Sequence, residues 1–507
     1  MNILLLKYWN INVRTVLAVL GMGVCAVAFG LLAVTANPVL ISLGIGLIGG
    51  TMLLGMPRAT VWMIFTLGLL SGAFISFPGF SRLPWIVSLL GMLLLLPALM
   101  KLFSARSHRL PAFIWIALVF LIYSLVVTVL RGDSLGEFLA GFKRYFQMYG
   151  LMLALTLLAF TPADFAAWRR LLVGIALLQF PFALYELLVL VPQRGGLTLS
   201  SAASDVVAGT FGANLKGGSP SSVMVIYLFT AISFFVARWR AGLMETTRFV
   251  LLVLLCLLPI GMGETKIALF MLLLVGMVLL RADLHSSPVR YLSKVLVLVL
   301  LACALGYWYV TVIMGNSVSE VITSTIRYNY GDQGYSQAQI LNRFTSLTFW
   351  GSRQGLDDPV GMLLGNGLGS SYTSQNALAG HIGIQYLHYG INLTAASTLL
   401  WDTGIFGLLL FTGIFCSAWR AANQLRRQSA DAAIQADALA IQAALSLFLL
   451  SILYSDAIVN LLAMEIIYAA VLGYLAYLIR QHNSGSSPAM GNTSVTQAVN
   501  KSGLDRG

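Results

Sequence analysis

The chain has 507 residues, 58% of them hydrophobic and only 9% charged, with a mean hydropathy of +0.86. Soluble proteins carry roughly 25% charged residues, so a soluble fold is excluded. The net charge of +12 does not indicate nucleic acid, because the basic residues stand singly or in small groups between apolar runs, as they do when a polytopic protein records its orientation.

Apolar runs of about 20 residues recur along the whole chain. They are continuous rather than alternating, which excludes a membrane β-barrel. The expected fold is all-α, a polytopic integral membrane protein with about 12–14 transmembrane helices. In chain order, spans are expected to begin near Thr15, Pro38, Ala59, Trp85, Pro111, Met148, Leu171, Ser221, Phe249, Ile267, Val295, Leu393, Asp437 and Leu461. The first run follows Lys7 and Arg14 and reads as a span rather than a removed signal. Segment 1–313 then holds the first eleven helices, 314–391 a long loop with short helices, and 392–480 the last three helices. Segment 481–507 reads as a disordered tail. Cys25, Cys256, Cys303 and Cys416 all lie within apolar runs, so neither a disulfide nor a metal cluster is expected.

Placing both termini in the cytoplasm leaves ten basic residues outside: Arg82, Arg131, Lys143, Arg144, Arg194, Lys216, Lys266, Arg327, Arg343 and Arg353. The other 20 of the 30 lie inside, a clear positive-inside bias. The long loop therefore faces away from the cytoplasm. For Arg82, Arg131 and Arg194 a solvated loop or headgroup contact suffices. Lys266 sits in the tight turn Gly261 to Lys266, between apolar segments too short to carry it far from the bilayer. It is either functional or paired with Glu264.

Within the loop, Ile340, Leu341, Phe344, Leu347 and Thr348 follow helical spacing over Gln337 to Trp350. That helix carries Arg343 and Trp350 on one side. An arginine can fork two hydrogen bonds onto a phosphate. The stretch Gly365-Asn366-Gly367-Leu368-Gly369 suits a tight turn with close backbone approach. His381 and His388 are the two histidines on the outer side, each a proton-acceptor candidate or a loop residue bonded to backbone. Asp402, at the outer end of the next span, is a buried acid or a helix cap.

Taken in order, these elements resemble the O-antigen ligase and polymerase family of bacterial envelopes. They are the Arg343–Trp350 pair, the Gly365, Gly367, Gly369 turn, a His/Asn-bearing stretch, and an acid followed by Gly404-Ile405-Phe406-Gly407-Leu408. The turn Gly263-Glu264-Thr265-Lys266 is similar to the family's short Ser-Arg element, with Lys266 in the Arg place. The resemblance covers Gly261 to Phe411. It implies a metal-independent glycosyltransferase without cofactor, taking a glycan from an undecaprenyl-diphosphate-linked oligosaccharide to an acceptor sugar hydroxyl on a growing polysaccharide. The implied partners are the lipid bilayer and a chain-length regulator or other envelope assembly proteins. The diphosphate would be held by Lys266, Arg327, Arg343 and Arg353. The family commonly places a His eleven or twelve residues before its Gly-x-x-Gly element. Here Asn392 and Leu393 stand there, so activation of the acceptor falls to His388, Asp402 or a residue without a motif. A polysaccharide polymerase is the leading expectation, with an O-antigen ligase as the near alternative. A lipid-linked oligosaccharide flippase is the distant one, although neither paired repeats nor broken helices are legible in the chain. A structural subunit that organises other envelope enzymes would leave the loop arginines unexplained.

Overall fold

Lipid offers the backbone no hydrogen-bond partners, so apolar runs must close their own bonds as helices. The computed structural model describes residues 49–485 apart from 51, 75–79, 105–109, 133, 194–205, 214–218, 264, 282–283, 285–286, 309, 312–316, 332–340, 356–357 and 374–378. The described residues form helices and no strand. The first are α1 (Pro57–Phe74), α2 (Leu83–Ser104), α3 (Ala112–Arg131), α4 (Leu135–Phe146), α5 (Tyr149–Leu157) and α6 (Pro162–Gln193). Then come α7 (Ser219–Arg240), α8 (Thr246–Met262), α9 (Ala268–Leu280) and α10 (Pro288–Trp308). The loop region contributes α11 (Val318–Tyr330), α12 (Arg343–Arg353), α13 (Pro359–Leu364) and α14 (His381–Gln385). The last four are α15 (Ala395–Gln428), α16 (Ala432–Tyr454), α17 (Ala457–Asn460) and α18 (Leu462–Gly485).

Among these, eight are long and apolar enough to cross a membrane: α2, α3, α6, α7, α10, α15, α16 and α18. The chain is an all-α, multi-pass membrane protein. The span expected near Thr15 and the one near Pro38 up to residue 48 lie outside the described residues; of the tail expected over 481–507, residues 481–485 continue α18 and the rest lies outside. Helices α8 and α9 are shorter, with 17 and 13 residues. The span expected from Met148 is the short α5, which α4 precedes across a break at Gln147 and Met148.

Helices α7, α16 and α18 form the centre, with 72–78% of their apolar windows buried, whereas α10 is 6% buried and lies at the edge. Helices α7 and α16 run antiparallel. Arg238 of α7 makes a two-pronged salt bridge to Asp437 of α16, at 2.7 Å for each bond. Tyr474 of α18 donates to the same carboxylate at 2.6 Å. This fixes one end of the bundle. The other end gathers Ser221, Tyr454, α17 and the 341–391 segment, and is called the loop end below.

Helix α15 is broken at Gly404, whose φ of 64° and ψ of −169° are non-helical. The carbonyls freed by the break are capped from the glycine turn: Asn366 N–H donates to Trp401 O and Gly367 N–H to Asp402 O, both at 2.9 Å. Tyr123 of α3 donates its hydroxyl to Thr403 O, also at 2.9 Å. Broken helices were not legible in the chain, because Thr403-Gly404 inside an apolar run looks like one tolerated glycine.

The glycine turn needs its glycines. Gly365, Gly367 and Gly369 have φ of 83°, 101° and 86°, and a Cβ on Gly365 would lie 2.5 Å from Asp402 O. Gly132 has φ of 70° but open space around it. Gly132→Ala is therefore expected to cost about 1 kcal/mol. Gly365→Ala adds a backbone clash to a strain of about 1–3 kcal/mol. Thermal unfolding of the two purified variants checks this, with Gly365→Ala the far less stable.

Candidate functional site

The loop end is organised around one carboxylate. Asp402 is fully buried and accepts four hydrogen bonds. Tyr145 Oη and Ser370 Oγ donate at 2.9 Å each, Ser371 N–H at 2.7 Å and Gly369 N–H at 3.2 Å. Three of the four donors come from the last glycine of the turn and the two serines after it, and the fourth from α4. Asp402 thus neither caps the helix after it nor opens to solvent. Its chemistry here is to pin the 369–371 segment and α4 onto the break in α15.

Helix α4 begins with Ser134 accepting from Glu137 N–H at 3.2 Å. Glu137 stands three residues after the cap, where a capping-box glutamate folds back. Its carboxylate goes instead to His381, with Oε1 2.7 Å from Nδ1 and 3.2 Å from the backbone N–H. A carboxylate at Nδ1 fixes the proton there and leaves Nε2 as the acceptor. Glu137 is buried, while the His381 side chain is half-exposed.

Seven residues further along α4, two turns and about 10 Å away, lies Arg144. It is 4% exposed. Its Nε donates to Asn460 Oδ1 at 3.0 Å, and the Tyr372 ring covers the guanidinium at 4.4 Å. Nη1 and Nη2 are buried and carry no hydrogen bond. Asp402 and Glu465 lie close enough to interact electrostatically with it. An unmatched buried donor costs roughly 1–3 kcal/mol, and here two point the same way from one group. Beside it, Lys143 lies over the Trp85 ring at 4.3 Å.

Arg343 opens α12, where the helix dipole disfavours a cation. It is held there by the other end of the segment that Arg144 touches. Its Nε donates to Tyr454 O at 2.7 Å and its guanidinium stacks on the Tyr454 ring at 4.3 Å. Asn460 in turn donates to Asp456 Oδ2 at 2.9 Å, so residues 454–460 join the two arginines.

The other residues singled out from the sequence are placed as follows. Of the helix expected over 337–350, residues 343–350 lie in α12; Leu341 and Asn342 are non-helical, Asn342 being the N-cap, and 337–340 lie outside the described residues. Arg353 lies at its far end, exposed, over the Phe349 ring at 5.4 Å. Phe349 packs with Tyr386, Tyr389 and Trp401, which brings α12, the exposed His388 and the Trp401–Asp402 break into one neighbourhood. Arg327 is exposed on α11, which meets α12 through Tyr330 and Phe344. Lys266 is exposed at the loop end. Its turn is tied to α7 by Ser221 Oγ donating to Gly263 O at 3.1 Å. Glu264 lies outside the described residues.

Arg144 and Glu137 carry no motif. The signal for them was present: a tandem Lys143-Arg144 on the side with fewer cations, and an acid seven residues before Arg144 on the same helical face. No protein-family model and no curated protein matches the chain.

Replacing Asp402 by Ala is expected to cost more than about 3 kcal/mol, since it strips Arg144 of a buried counter-charge and orphans four donors. Tyr145→Phe should cost about 1 kcal/mol. Chemical denaturation of the solubilised protein separates the two. A stable Asp402→Ala variant would remove the pinning role.

Proposed function

We propose that this protein is a polysaccharide polymerase of the bacterial inner membrane, acting on O-antigen, capsule or exopolysaccharide repeat units at the loop end, with that end in the periplasm and both termini in the cytoplasm. The observation that carries the reading is Arg144: a buried guanidinium with two unfilled nitrogens, tied through residues 454–460 to Arg343. Two arginines so joined suit a diphosphate, which accepts forked, charge-assisted bonds. The exposed Lys266, Arg327 and Arg353 raise the local positive potential and draw an anionic lipid headgroup to this end.

In the reaction, the acceptor hydroxyl oxygen bonds to the anomeric carbon while the carbon–oxygen bond to the diphosphate breaks. The electron pair leaves with the diphosphate, whose growing charge Arg144 and Arg343 stabilise. The hydroxyl proton passes to Nε2 of His381, which Glu137 orients. His388, exposed on the same loop, is the alternative acceptor. Asp402 positions rather than reacts, because its carboxylate is already occupied by four donors.

The helix breaks at Gly404 and at Gln147–Met148 also suit a flippase for lipid-linked oligosaccharide. Transfer by the purified protein in detergent separates the readings, since a flippase makes no glycosidic bond. A ligase of the same chemistry differs in its acceptor: its loss strands long chains on the lipid carrier, whereas loss of a polymerase leaves single repeat units on the core.

Arg144→Gln and Arg343→Ala are expected to abolish long chains at normal protein level, read from the glycolipid ladder. His381→Ala should slow transfer by about a hundredfold or more and His388→Ala only slightly. Long chains in the Arg144→Gln strain would reject the diphosphate role. Equal effects at the two histidines would reject the dyad.

A further inference from the structure

At the end opposite the loop, Arg281, Arg426 and Arg427 converge with no matching acid among the described residues. Arg281 follows α9. Its Nη2 donates to Asn423 Oδ1 at 3.0 Å and to the Gln442 side chain, and its guanidinium stacks on Trp419 at 4.6 Å. Arg426 and Arg427 follow Asn423 by three and four residues, so they leave α15 on the face that meets Arg281. Arg240, the last residue of α7, donates Nη1 to Leu279 O at 2.5 Å, two residues before Arg281.

The cluster is electrostatically incomplete. Among the described residues Arg281, Arg426 and Arg427 form no ion pair, and the Nε atoms of Arg281 and Arg426 are buried with no hydrogen bond. Burial, and then the charges of Arg426 and Arg427, push the Arg281 pKa down to about 10. Asp283 lies outside the described residues. Like charges with unfilled donors are costly together unless an anion completes them. Beside the cluster, α9 and α10 leave a slot of about 360 Å³, lined by Leu280, Val297, Leu298 and Leu301, with Ser293 and Lys294 at its polar side. Leu280 is the neighbour of Arg281. The slot is almost wholly apolar, and α10 is the helix most open to lipid.

We propose that this end binds an anionic membrane phospholipid, with the headgroup phosphate among Arg281, Arg426 and Arg427 and an acyl chain in the slot beside Leu280. Basic pockets between transmembrane helices recognise anionic headgroups in this way. Free phosphate would use the cations and leave the slot empty, and a zwitterionic lipid would use the slot while leaving the cations unneutralised. The inference is independent of the glycan chemistry at the loop end.

The test uses the full-length protein in detergent, with added phosphatidylglycerol, phosphatidylcholine or inorganic phosphate, read by native mass spectrometry and thermal unfolding. Phosphatidylglycerol should stay bound and raise the unfolding midpoint by several degrees, and the other two should do neither. Arg427 is exposed and makes no hydrogen bond among the described residues, so Arg427→Gln keeps the fold and should weaken retention at least tenfold. Arg281→Gln combined with Arg426→Gln should abolish it. Indifference of the wild type to all three additions would overturn the proposal, as would an equal response to phosphatidylcholine or phosphate. So would undiminished retention by Arg427→Gln.

Discussion

The loop end depends on a buried carboxylate that meets a broken helix. A break in a membrane helix frees carbonyls that lipid cannot satisfy. Here the glycine turn supplies the missing N–H groups, and Asp402 takes four further donors from two separate elements. Tyr145 and Ser371, two of those donors, are the chain neighbours of Arg144 and Tyr372. One carboxylate therefore sets where the buried guanidinium stands and where the ring over it lies.

Burying Arg144 is expensive, and three contacts lower the cost: Asn460 on Nε, Tyr372 on the face, and the nearby carboxyl groups of Asp402 and Glu465. None of them fills Nη1 or Nη2. Arg343 stands at a helix start against the dipole, where the Tyr454 carbonyl and ring hold it. Arg144 is therefore only partly compensated, with two buried nitrogens unfilled. That pattern belongs to groups kept ready for a charge that arrives from outside, and it contrasts with Arg238, fully matched by Asp437.

The fold class was legible because a long apolar run allows only one answer in lipid. The helix at Arg343, the glycine turn and the eight long apolar helices followed from periodicity and from glycine spacing, whereas the spans expected near Ala59 and Met148 are not among those eight. The break at Gly404 was not legible, since its cause is the distant glycine turn that caps it. Asp402 stood out as an acid beside a span, yet which of capping, catalysis or pinning it performs is decided by Tyr145, 257 residues away. Arg144 was counted only as one cation among ten, because its burial comes from Tyr372 and Asn460. Likewise His381 and His388 look alike in the chain, and Glu137 alone separates them.

The most direct measurement is the affinity of the purified protein for a short-chain polyprenyl diphosphate, with the polyprenyl alcohol as control, in wild type and in Arg144→Lys. The account predicts saturable binding of the diphosphate alone, weakened at least tenfold by the lysine, which keeps the charge and loses the fork. Equal affinity in the two proteins, or equal binding of the alcohol, would contradict it.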